Sequence, residues 1–186
     1  MVLDLPEKIE TQRLLLRRLK HEDAEEIFYT YASKPEATKY MSWPTHRSIK
    51  DTRTYLHDAV RGWEEGIDYS FGIRLQQTNR LIGSIGILND YGKIQFGYVL
   101  SPTQWGNGYA TEACIGLIDI VKMLRGVRQI GTFVDRENEA SRKVLLKAGL
   151  VEDFVFEKWF SFVNQENALK DCILLSVPQS LLSAKE

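Results

Sequence analysis

The chain has 186 residues, a length that predicts one domain spanning 1–186. Its 44% apolar and 26% charged residues are the balance of a globular protein, and a formal net charge of −1 excludes a nucleic-acid partner held by bulk charge. No apolar run approaches the ~18 residues that would span a bilayer, and the opening, with Asp4, Glu7 and Glu10, is unlike a signal peptide. The expected compartment is the cytoplasm, with no membrane partner. Cys114 and Cys172 lie far apart in apolar stretches, so they read as buried free thiols, with a disulfide pair as the alternative, and no metal is expected.

In chain order, the apolar and basic run 13–19 predicts a strand. Glu22 and Asp23 then open a short helix carrying Ala24, Ile27, Phe28 and Tyr31. Pro44 keeps 41–47 irregular. Ser48 with Asp51 resembles a capping box, and the helix it starts places Thr52, Tyr55, Leu56, Ala59, Val60 and Trp63 on one face. Strands at 69–75, 80–88 and 93–100 form an antiparallel meander joined by polar turns. Helical spacing is strongest at 110–124, where Ala110, Ala113, Cys114, Leu117, Ile118, Val121 and Leu124 recur on one face. A strand at 127–134, a helix at 139–148 ended by Gly149, and strands at 155–163 and 171–177 complete the order. The fold class is α/β or α+β, with a mixed sheet in one layered domain.

The informative stretch is Trp105-Gly106-Asn107-Gly108-Tyr109-Ala110, between a strand and the amphipathic helix. Two glycines permit a tight turn, and the N–H groups of the helix's first turn point into the loop, where the helix dipole adds positive charge. Such a loop binds phosphate without a basic side chain. A bare Gly-x-Gly is equally a structural turn. A dinucleotide fingerprint is disfavoured because Thr111 occupies its third glycine position, and no Gly-Lys-Ser or Gly-Lys-Thr exists for a P-loop.

Over 10–177 the chain resembles the GNAT superfamily of acetyl-CoA-dependent N-acetyltransferases, most closely the RimJ/RimL type, which acetylates N-terminal amines of ribosomal proteins. The resemblance rests on Glu10-Thr11-Gln12-Arg13-Leu14-Leu15-Leu16-Arg17, Phe96-Gly97-Tyr98-Val99-Leu100, the run from Trp105 to Ala113, and Asp135-Arg136-Glu137-Asn138-Glu139-Ala140-Ser141 with Lys147-Ala148-Gly149-Leu150. It implies about seven strands, mostly antiparallel, with a fourth and fifth (93–100 and 127–134) that splay apart, and about four helices.

It also implies a site. The pantetheine arm of acetyl-CoA would pair with backbone at Tyr98, Val99 and Leu100, and the Leu100 N–H would polarise the thioester carbonyl. The pyrophosphate would sit on N–H groups from Gly106 to Thr111, through Asn107, Gly108, Tyr109 and Ala110, behind Trp105. Asn138 would hold the CoA arm, although it also suits an N-cap. Ser141 would protonate the leaving thiolate, or be a solvated first-turn serine. Leu145 stands where many relatives carry a tyrosine acid, and Gln95 near where relatives carry a glutamate base. Among lesser candidates, His46 reads as a surface histidine near the substrate mouth, Tyr98 as packing, Glu112 as structural and Glu157 as a solvated strand residue. Trp43, Trp63 and Trp159 are candidates to frame a peptide groove. The acceptor is expected to be the N-terminal α-amine of a protein. Open alternatives are a small-molecule amine such as a polyamine, and a silent acyl-CoA-binding module; monomer and homodimer both remain open.

Overall fold

A computed structural model of the protein describes residues 2–182. Its strands are β1 (Lys8–Glu10), β2 (Leu14–Arg18), β3 (Asp68–Leu75), β4 (Leu81–Asp90), β5 (Lys93–Leu100), β6 (Gln129–Asp135), β7 (Val151–Ser161) and β8 (Leu169–Ser176). They form one sheet in the order β1-β2-β3-β4-β5-β6-β8-β7. All pairs are antiparallel except β5 with β6. Among the described residues the α-helices are α1 (Ala24–Ile27), α2 (Pro35–Thr38), α3 (Ile49–Glu65), α4 (Tyr109–Val121) and α5 (Glu139–Lys147).

The helices start and stop where local chemistry dictates. Asp51 Oδ2 accepts from the N–H of Ser48 at 2.9 Å, so the expected capping box opens α3. Gly66 in the left-handed region ends that helix, and Gly149 follows α5 in the same way. After α1 the chain widens into a π turn over Phe28–Ala32, where the Ser33 N–H donates to Phe28 O.

Both sheet faces are covered. Ala113, Cys114, Leu117, Ile118 and Val121 of α4 enter the larger core with Ile85, Phe96 and Leu100. Ala24, Ile27, Tyr31 and Leu56 form a smaller core with Leu81 and Val99. Both cysteines are buried free thiols, as expected.

The sheet has eight strands where about seven were expected, because β1 is a three-residue edge strand too short to show alternation. The helix α2 was also missed, a single turn with Pro35 at its start. Strand β7 begins at Val151, four residues before the expected start at 155; its residues are almost all exposed, so no buried face marks it. The expected splay is present: β5 and β6 pair only at Lys93–Gln95 with Gln129–Gly131.

A buried ionic cluster fixes α1 to the sheet. Asp23 Oδ1 accepts from Arg17 Nη2 at 2.6 Å and Arg74 Nη2 at 2.9 Å, and Arg74 Nη2 also donates to Glu26 Oε2 at 2.6 Å. Asp23 and Arg74 are both buried. Removing one partner strands the others' charge away from water. Asp23→Ala should therefore lower stability by about 3–5 kcal/mol in urea unfolding. A loss below about 1 kcal/mol would show that the cluster is not needed to hold α1.

Candidate active site

Past Gln95 and Gly131, β5 and β6 diverge while each keeps its outer neighbour, β4 and β8 respectively. The Ser101 N–H donates to Ile82 O at 2.8 Å, toward β4. Backbone polarity alternates along a strand, so the N–H groups of Leu100 and Tyr98 face the opposite edge, into the gap. The Leu100 carbonyl accepts from Trp105 Nε1 at 3.2 Å. Trp105 is thus a brace between the strand and the loop that follows.

That loop is tied down along its length. Asn107 Nδ2 donates to Gln104 O at 3.1 Å and Trp105 O at 3.2 Å, and Arg13 Nη1 donates to Asn107 O at 3.0 Å. Gly106 and Gly108 both have φ of +77°, a region that favours glycine. Gly108 is the N-cap of α4, and the Glu112 N–H makes the first bond back, to Gly108 O. The N–H groups of Tyr109, Ala110 and Thr111 therefore end the helix without intrahelical acceptors. Glu112 is structural, as expected: it accepts from Thr11 Oγ1 at 2.6 Å, from the Arg13 N–H at 2.7 Å and from Arg13 Nε at 2.7 Å. Burial works to raise its pKa, but these bonds outweigh it and hold the carboxyl below its ordinary value.

A cavity of about 270 Å³ opens at the strand gap and continues beneath the 41–43 segment. It brings Tyr98, Val99, Asn138 and Ser141 together, with Leu145 beside them. Asn138 Oδ1 caps α5 by accepting the Ser141 N–H at 3.2 Å, and the same residue borders the cavity. Tyr98 does more than pack: its hydroxyl donates to Ser141 Oγ at 3.1 Å across the splay. Burial pushes the Tyr98 phenol well above its ordinary value, so it carries its proton. The loop 105–111 lies outside this cavity; Gly108 and Thr111 border a second depression with Gln12 and Lys147.

Other expected residues divide. Gln95 lines the cavity. Glu157 is exposed on β7 and does not. Of the three tryptophans only Trp43 lines the cavity. Trp63 is packed against Tyr69 and Phe71 beneath the Arg18 guanidinium, and Trp159 rests on Phe133 at the sheet edge. His46 is not a surface residue: it is half-buried between Trp43 and Tyr55, with Nδ1 2.8 Å from Thr52 Oγ1. Sequence reading missed Asp68, which lines the cavity and accepts from Ser70 Oγ at 2.6 Å. Burial raises its carboxyl, partly offset by that bond.

The splayed strands and the glycine loop at a helix start define an acyl-CoA-type transferase fold. The acetyltransferase (GNAT) domain family matches residues 13–151. The uncharacterized N-acetyltransferase YoaA of Bacillus subtilis is 30% identical over 154 residues, 81% of this chain and 86% of that one. The structure of Mycobacterium smegmatis RimJ in complex with CoA-disulfide aligns with a TM-score of 0.84 at 19% identity, covering 98% and 94% of the two chains. The ribosomal-protein-S5-alanine acetyltransferase of Vibrio fischeri aligns at 0.80 and 20%, covering 95% and 98%. The chain belongs to the GNAT acetyltransferase family. It is an acetyl-CoA-dependent acetyltransferase; among the described residues no cluster fit to hold a metal and no helix long and apolar enough to cross a membrane is found.

Burial lowers the pKa of His46 from the ordinary 6.5, against a partial opposing pull from Asp51. The unfolded chain therefore takes up this proton first. Its contribution to stability is complete above pH 6.5 and is lost as pH falls from there through the folded pKa. Nuclear magnetic resonance should place the His46 midpoint below 6.5, and His46→Gln should flatten that part of the stability profile. A midpoint at or above 6.5 would contradict the buried setting.

Proposed function

We propose that the protein transfers the acetyl group of acetyl-CoA to the N-terminal α-amine of a protein or peptide. The carrying observation is the charge of the cavity. Its acidic residues are Asp68 and Asp135, and both Asp135 oxygens are engaged, by the Glu137 N–H at 2.9 Å and Gln165 Nε2 at 3.0 Å. A single available carboxylate suits one ammonium group and leaves the further charges of a polyamine unmatched. The family resemblance to RimJ/RimL enzymes points the same way.

In this reading the N–H groups from Gly106 to Thr111 hold the pyrophosphate of acetyl-CoA, and the open edge of β5 pairs with the amides of its pantetheine arm through the backbone of Tyr98 and Leu100. The expected backbone contact at Val99 is ruled out, because its groups face β4. The Asn138 side chain steadies that arm while capping α5. The Leu100 N–H faces the acetyl carbonyl and supports the charge that develops on its oxygen. Ser141 gives its proton to the departing sulfur and is resupplied by Tyr98, whose hydroxyl already donates to it. This supply answers the absence of a tyrosine at Leu145.

Valine at position 108 puts a branched side chain into a left-handed conformation on the face the pyrophosphate would meet. Gly108→Val should weaken acetyl-CoA binding by about tenfold or more in calorimetry, about 1.4 kcal/mol, with native circular dichroism. Wild-type affinity in a folded variant would remove the loop from the site.

Acceptor choice follows from proton cost. Only a neutral amine attacks. Deprotonating a lysine side chain at neutral pH costs roughly 4.6 kcal/mol, against roughly 1.1 kcal/mol for an α-amine. With Gln95 where a glutamate would stand, α-amines should be acetylated in preference to lysines. A free-N-terminus peptide competing with an N-blocked lysine peptide, read by mass spectrometry, tests this. Preferential lysine labelling, or labelling of a polyamine alone, would discard the α-amine assignment.

A further inference from the structure

The acceptor side of the cavity has a trough in its floor. The register of β3, β4 and β5 aligns Ser70 with Gly86 and Gly97, and Asp68 with Leu88 and Gln95. Cross-strand partners share a face, and residues two apart along a strand do too, so all six look onto one side of the sheet. Gly86 and Gly97 place nothing there. A Cβ on Gly97 would meet no atom within 4 Å, whereas one on Gly86 would come to 2.9 Å from Ser70 Oγ. The trough runs from the open edge of β5 over the two glycines to Ser70 and Asp68. Two strand spacings, about 10 Å, separate β5 from β3, room for an amine and one water.

Asp68 is half-buried at the far end and forms no ion pair among the described residues. The groups around it supply no cation. Burial pushes the Tyr55 phenol up to about 12 and Tyr31 well up, so both stay protonated, and it keeps His46 neutral at pH 7. Asp135, across the cavity, is acidic and already bonded. The rings of Trp43 and Tyr55 stack at 6.4 Å and border the same space, a wall suited to a cation or an apolar body.

We infer that Asp68 receives the acceptor's amino group and takes up, through one water, the proton that the nitrogen sheds as the amide forms; this rests on reading the protein as an amine acetyltransferase. The nitrogen lone pair makes the C–N bond to the acetyl carbon. The nitrogen, now positive, passes a proton to the water, which passes one to Asp68. The C–S bond breaks with its electron pair on sulfur, and the thiolate takes a proton from Ser141. Asp68 returns its proton to solvent and Tyr98, having resupplied Ser141, recovers one from solvent, so one amine and one thioester give one amide and one thiol. Loss of the proton becomes easier as the C–N bond forms, which brings it within reach of a carboxylate.

The test compares wild type with Asp68→Asn, and with Asp68→Ser as a second carboxylate-free variant, using a free-N-terminus peptide, 2-phenylethylamine and spermidine as probe amines. Thiol release gives turnover, and calorimetry gives acetyl-CoA affinity. Both variants should keep the wild-type Kd for acetyl-CoA and lose about 100-fold or more in kcat/KM for every amine that wild type accepts. Asp68→Glu should recover part of that loss. Turnover within threefold of wild type, or a parallel loss of acetyl-CoA affinity, overturns the role of Asp68 and leaves the acetyltransferase reading standing. Wild type acting only on spermidine overturns the α-amine reading, while the variants still decide for or against Asp68 on that amine. Wild type that binds acetyl-CoA and acetylates none of the probes overturns both.

Discussion

Three residues of parallel pairing between β5 and β6, followed by divergence, are the constraint on which the rest of the site depends. Each strand stays bonded on its outer edge, to β4 or to β8, so the sheet opens without coming apart. Divergence leaves a row of backbone donors and acceptors without a neighbouring strand, which is costly unless something extended and polar lies along them. Packing keeps the opening in shape. Leu100 and Tyr98 contribute to one core and Val99 to the other, so β5 is held from both faces while one edge stays free. The Tyr98 hydroxyl reaching Ser141 ties the lips of the opening together.

Much of this was legible in the sequence where a signal is local. The period of α4, the paired glycines before it and the Asn138 start of α5 depend on neighbours a few residues apart, and all are found where expected. Elements whose existence depends on distant partners were not legible. Strand β1 is too short for a pattern and exists because it pairs with β2. Most of β7 has no buried side to betray it.

The same division runs through the site. Trp43 and Trp63 look alike in sequence; one borders the cavity, and the other is pinned under Arg18 against two aromatic rings. His46 seemed a surface loop residue because nothing near it in sequence announces the Tyr55 ring beside it. Asp68 is an unremarkable acid at a strand start. The role proposed for it rests on Gly86 and Gly97, some 20 and 30 residues onward, whose missing side chains leave a path to it. Chemistry assembled by register across three strands cannot be read along one of them.

The loop before α4 carries a kinetic consequence. Trp105 is bonded to Leu100, Asn107 to Gln104 and Trp105, and Arg13 to Asn107, all within the protein itself. A segment already fixed by its own bonds has little conformational entropy left to surrender. For the pyrophosphate proposed to bind there, capture would be a rigid docking event, limited by diffusion and orientation and not by a slow ordering step.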